Sequence, residues 1–183
     1  LRWGDTADVF VLDSRGERVY EDPGQYISSE QMAWLQDELA TSTARFKLIV
    51  NSVPITDYSP LIANTMAHDR WSGWPVDRDE ILRFIDDEGI QGVLWVTGDF
   101  HSANVSRVGQ PGDPGWEQWE VMVGVVGSKI NPMGEYFDED DQFVLMVAAW
   151  CTTTLELDPG TGEVTLRFVG EDGEVIREQV LAL

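Results

Sequence analysis

Three short runs of apolar, β-forming residues alternate along the chain with two segments of helical periodicity. The runs are DVFVL at 8–12, FKLIVNSVPI at 46–55 and GVLWVT at 92–97. No other feature constrains the fold as strongly. A strand, a helix and a second strand join most simply as parallel neighbours, with the helix returning the chain across one face of the sheet. In the first helical segment, SSEQMAWLQDELAT, Ser28 is placed to cap the N-terminus and Gln31 to complete a capping box. Met32, Leu35 and Leu39 share one face of that helix. The second helix is expected from Val76 to Glu88, with Ile81, Leu82 and Ile85 turned inward and Gly89 as its stop.

The later half changes character. WEVMVGVVG and FVLMVAAW are strand-like, and residues 152–181 read as an antiparallel meander with turns at Pro159–Gly162 and Asp172–Gly173. The expected class is α/β, an α+β sandwich, with 183 residues forming one domain. Eight Trp and 43% hydrophobic residues are enough to bury a core. No apolar run reaches the roughly 18 residues of a membrane span. The start, LRWGDTADVFVLD, shows no basic region followed by an apolar stretch, so no signal peptide is visible. It begins almost inside a strand, and the expectation is a trimmed or partial chain.

Charge excludes some partners. The net charge is −21, from 33 acidic and 12 basic residues, and only Lys47 and Lys129 are lysines. Such a surface repels nucleic-acid phosphates and anionic membranes and attracts cations. The single Cys151 rules out a disulfide framework within the chain.

The chemistry gathers at the expected strand ends. VLWVTGDFHSANV carries Asp99 and His101 two residues apart, and alternate side chains of an extended segment face the same way. A carboxylate oxygen and an imidazole nitrogen suit a divalent or trivalent metal. Asn51 follows KLIV and offers a neutral oxygen. Arg15 lies two residues beyond Asp13. Its planar guanidinium is suited either to a phosphate or to an ion pair with Asp13 or another carboxylate. The loop that follows Asn51 bears His68, Asp69, Trp71 and Trp74.

FVLDSR, the MAWLQDEL helix, FKLIVNSVP, DRWSGWP with Arg78 and Ile81 after it, and LWVTGDFHSANV occur in this order. Together they resemble the C-terminal half of the PhoD-type alkaline phosphatases, a branch of the calcineurin-like metallophosphoesterases. The resemblance covers roughly residues 1 to 170. It implies half of a four-layer β-sandwich flanked by helices, and a phosphoester substrate. It also implies a centre holding iron and calcium, and an extracellular or periplasmic location. Asp99, His101 and Asn51 become expected metal ligands. Asp69, Trp71 and Trp74 are expected to line the substrate, with Arg15 and His68 as candidate catalytic residues. The family's first metal motifs lie upstream of LDSR and are absent from this chain. A missing N-terminal segment or a partner chain is therefore expected to complete the site.

The activity implied is attack on phosphorus by a metal-activated hydroxide, with His68 as the freer proton donor. The alternative is a non-catalytic acidic module that keeps the fold without a complete metal site. A calcium-binding surface protein is a third reading. It is weakened because DEDDQ at 138–142 lacks the glycine and terminal Glu spacing of a calcium loop, and reads instead as a solvated loop.

Overall fold

The alternation expected from the sequence builds the centre of a mixed sheet. The computed structural model describes residues 1–21, 24–58, 67–131, 139 and 141–183. Two positions of the DEDDQ run, 138 and 140, and much of the loop before His68 lie outside the described residues. Seven strands form the larger sheet. They are β1 (Arg2–Trp3), β2 (Ala7–Val11), β3 (Phe46–Val50), β4 (Val93–Thr97), β5 (Ala103–Arg107), β6 (Trp119–Met122) and β7 (Phe143–Val147). Their spatial order is β1-β2-β3-β4-β6-β5-β7. β2, β3, β4 and β6 run parallel, while β5 is antiparallel to both β6 and β7.

Alternation along the strands separates two cores. On one face, Phe10, Ile49, Val93 and Trp95 pack with Leu35 and Leu39 of α1 (Ser29–Thr41) and with Ile81, Leu82 and Ile85 of α2 (Pro75–Asp87). On the other face, Phe46, Leu94, Val105, Val121 and Leu145 meet Val164, Leu166 and Phe168. These last residues belong to a three-stranded antiparallel sheet of β8 (Cys151–Asp158), β9 (Glu163–Gly170) and β10 (Val175–Ala182). The meander read from the sequence is thus a second sheet stacked on the first, and the fold is an α/β sandwich. Among the described residues, no helix is long and apolar enough to cross a membrane.

Two segments differ from the sequence reading. The apolar run at 46–55 leaves the sheet after Val50. The cause is Glu120, fully buried on β6, whose carboxylate accepts the backbone N–H groups of Ile55 (2.8 Å) and Thr56 (3.1 Å). Arg78, also buried, donates to the carbonyls of Ile55 (2.8 Å) and Val108 (2.9 Å). Burial pushes the Glu120 carboxyl up from its ordinary value. The second difference is β5, whose polar residues gave no strand signal. Asn104 and Ser106 are buried because that segment bonds them: Asn104 donates to the Tyr58 hydroxyl, and Ser106 meets the Thr56 hydroxyl.

Helix α1 starts where the sequence placed it, with a different second partner. The Ser28 hydroxyl accepts the Gln31 N–H at 3.1 Å, as an N-cap should. The Ser28 N–H, which a capping box would give to Gln31, goes instead to Glu17 at 2.9 Å. The Ser28 hydroxyl and the Gln31 amide also donate to Glu17. Helix α2 ends at Asp87, and Gly89 takes φ +62°, the left-handed turn that suits glycine.

The Ser28 hydrogen bonds hold the Glu17 carboxyl below its ordinary value of 4.5. Its stabilising effect is therefore present above that value and is lost as pH falls through the folded pKa. Glu17→Ala should lower stability by about 1 kcal/mol at neutral pH, in the range of a lost cap. Urea unfolding at pH 7 and pH 3 checks this, and the gap between variant and wild type should narrow at the lower pH.

Candidate functional site

Because β2, β3 and β4 are parallel, their C-terminal ends open along one rim, where α/β sheets place their ligands. The turn after β4 dominates that rim. β6 lies between β4 and β5, so Gly98 to Ser102 must carry the chain across two strand spacings, roughly 10 Å. Asp99 (φ +78°) and His101 (φ +59°) both adopt the left-handed backbone that non-glycine residues rarely take. Two such residues in one short turn are the kind of strain that gathers at functional sites.

The turn is held from both sides. The backbone N–H of Asn131 donates to the His101 carbonyl at 2.8 Å, and its side-chain amide donates to the Phe100 carbonyl at 3.1 Å. The Phe100 ring stacks on Tyr58, with centroids 4.9 Å apart. Asp99 and His101 do line one cleft, of about 590 Å³. The reason differs from the one expected, since they share it through a left-handed turn and not through strand alternation.

Arg15, Asp69, Arg70 and Lys129 line the same cleft. Arg15 Nη2 donates to Asp99 Oδ1 at 2.8 Å, with both side chains about half exposed. Of the two roles open to Arg15, the ion pair is formed, and its partner is Asp99. Asp13 instead accepts the Gly16 N–H at 2.7 Å. The guanidinium of Arg70 lies 5.5 Å from the centroid of Phe100.

Arg18, which gave no signal in the sequence, ties the rim together. Its side chain is only 2% exposed. It donates to the Ser14 carbonyl, to the His68 carbonyl (3.2 Å), to Asp69 Oδ1 (3.1 Å) and to the Tyr20 and Tyr26 hydroxyls. It also lies over the Tyr26 ring at 4.6 Å. Burial pushes the Tyr26 phenol up to about 12, so it remains neutral beside the guanidinium.

The remaining expected residues fall outside the cleft wall. Asn51 is 3% exposed and uses both ends of its amide on the protein, accepting from Ser14 Oγ (2.8 Å) and donating to the Val53 carbonyl (2.7 Å). It thereby fixes the residue before Arg15. Trp71 is wholly buried, packed on Tyr26 and edge-on to Trp95. Trp74 packs with Tyr20, Tyr26 and the exposed ring of His68, and its indole N–H donates to the His68 carbonyl. Large aromatic rings beside an apolar core gain more from packing than from facing solvent.

Of the cations lining the cleft, only Arg15 was singled out in the sequence; Arg70 and Lys129 gave no signal there beyond the rarity of basic residues. Arg15, Arg70 and Lys129 are three of twelve basic residues in a strongly acidic chain. As a metal centre, the donor set is incomplete. Among the described residues, no three His, Cys, Asp or Glu side chains converge closely enough to hold an ion. Asp99 and His101 have the right donor chemistry, but two donors do not enclose a metal.

Residues 1–156 match the family described as "PhoD-like phosphatase". The chain belongs to that family. Alkaline phosphatase D of Bacillus subtilis (strain 168) is 25% identical over 123 residues, covering 58% of this chain and 21% of that protein. The solved structure described as "Structure of PhoD" superimposes with a TM-score of 0.78 at 17% identity, over 100% of this chain and 40% of that one. The chain thus spans well under half the length of these relatives.

Arg18→Met should leave Asp69 unpaired and free the loop that bears it. A loss of about 2–3 kcal/mol is expected for hydrogen bonds to a buried charge. Urea unfolding followed by tryptophan fluorescence measures it.

Proposed function

We propose that this chain forms part of a phosphoester hydrolase and supplies the anion-binding wall of its active site. The observation that carries this reading is the convergence of Arg15, Arg70 and Lys129 beside the strained Asp99–His101 turn, on the ligand rim of a PhoD-like phosphatase. A phosphoester carries its negative charge on non-bridging oxygens. A planar guanidinium meets two of them at once, and an ammonium supplies a compact point charge. Cations aimed at those oxygens also stabilise the charge that spreads over them as the P–O bond to the leaving group breaks.

The two imidazoles then have different places. His101 lines the cleft beside Asp99 and offers an imidazole nitrogen there. His68 stands outside it, its ring against Trp74. Asn51 supports Arg15 through Ser14 and acts by positioning. The iron and calcium implied by the resemblance would draw Asp99 and His101 from this chain and their other donors from outside the described residues. A further segment or chain supplying those donors belongs to the same proposal, as does an extracellular or periplasmic setting. The chain's coverage of 40% of the solved structure supports the first of these.

The test is release of nitrophenolate from a nitrophenyl phosphomonoester and a nitrophenyl phosphodiester, with iron and calcium salts present. It is run on this chain and on any longer polypeptide that carries it. Arg15→Gln should lower kcat/KM by about 10- to 100-fold, in the range of lost transition-state charge stabilisation. His101→Ala should lower it at least as much, and both variants should melt within a few degrees of wild type. Unchanged turnover in both variants would remove the cleft from the mechanism.

A further inference from the structure

We propose that the groove beside Trp150 is the subsite for the alcohol portion of the phosphoester, and that it selects esters of aromatic or other apolar alcohols that carry no negative charge. The proposal rests on the anion-binding reading of the neighbouring cleft and names the substrate class that cleft would take. Three observations carry it. Ile130 lines the cleft together with Arg15, Arg70 and Lys129, and it also lines an open groove of about 700 Å³, so the two spaces share a wall. Trp150 and Ile176, both exposed, form apolar parts of that groove. Trp150 is also fixed to the segment that supplies the cleft. Its indole N–H donates to the Ser128 carbonyl at 3.0 Å, and the Cys151 N–H after it donates to the Val125 carbonyl at 3.1 Å. Lys129, the residue next to Ser128, lines the cleft.

The position of Trp150 follows from the fold. It stands in the link between β7 and β8, where the chain passes from the larger sheet to the smaller one. Its side is 50% exposed, and its single polar atom is already bonded, so the ring offers a ligand an apolar face and nothing else. Because the indole is tethered before anything binds, little side-chain freedom is lost when a second ring packs on it. Charge sets the limit on what can enter. Glu171 and Asp172 line the same groove, and among the described residues lining it there is no Arg or Lys. Cations thus face the phosphoryl side and carboxylates face the alcohol side. A negatively charged alcohol would be repelled by Glu171 and Asp172, while an uncharged aromatic one would gain the contact with Trp150.

Isothermal titration calorimetry at low salt, on the full polypeptide that carries this chain, tests the subsite with three phosphonates whose C–P bond resists hydrolysis. They are methylphosphonate, benzylphosphonate and 4-carboxybenzylphosphonate. Wild type should bind benzylphosphonate about three- to ten-fold more tightly than methylphosphonate, the scale of one aromatic pair. The carboxybenzyl compound should lose that gain. Trp150→Ala should remove the gain and leave methylphosphonate affinity unchanged, whereas Trp150→Phe should keep most of it. Arg15→Gln should weaken methylphosphonate and benzylphosphonate by the same factor, so that the gain survives. Circular dichroism melts check that each variant folds, and the comparison of the three compounds on wild type does not depend on any variant. Equal affinity of wild type for methylphosphonate and benzylphosphonate would assign the groove to packing against protein, and would overturn the subsite while leaving the cleft standing. A gain that persists in Trp150→Ala would overturn it as well. Absence of binding by all three compounds would overturn the cleft reading and the subsite together.

Discussion

The connection between β4 and β5 is the constraint on which the rest of the rim depends. β6 occupies the place beside β4 that β5 would take in an ordinary hairpin, so five residues must bridge a gap of two strands. A short bridge of that span has few backbone solutions, and this one places Asp99 and His101 in left-handed conformations. Once they are there, their side chains rise from the sheet into the cleft. The aromatic stack of Tyr58 on Phe100 and the two bonds from Asn131 offset the strain. The same bonds bring Lys129 and Asn131, from a segment far along the chain, to the cleft wall.

Behind the rim, buried charges shape the backbone without entering the cleft. Glu120 and Arg78 grip the segment after β3 through its peptide groups, and Arg18 ties Ser14 to His68 and Asp69 across two distant stretches of chain. Each is costly to bury, and each is matched by hydrogen-bond partners that would otherwise be left unpaired. The cleft residues Arg15, Asp99 and Asp69 are more exposed, so their charges remain partly solvated. The backbone of the rim is thus held rigidly from behind, while the charged groups of the cleft face solvent.

Acidic composition sharpens the contrast. A chain of net charge −21 has no general attraction for phosphates. Binding one therefore depends on local convergence of its few cations. Arg15 comes from the loop after β2, Arg70 from the loop before α2, and Lys129 from the stretch after β6.

The sequence by itself determined the elements and their faces. Helix periodicity placed Leu35, Leu39, Ile81, Leu82 and Ile85 in the core, and the alternation of strands with helices was enough for a parallel β2-β3-β4 array. The motifs also identified the family and singled out Asp99 and His101, because those signals are local and lie within a few residues of one another. Tertiary structure decided the rest. β5 carries buried polar residues that only distant partners, Tyr58 and Thr56, make tolerable. Trp71 goes to the core and not to the cleft because Tyr26 and Trp95 meet it there. Asn51 turns to Ser14, and Arg15 to Asp99 instead of the nearby Asp13, because the partner of a polar side chain is set by what the fold brings within about 3 Å, and sequence distance carries no information about that.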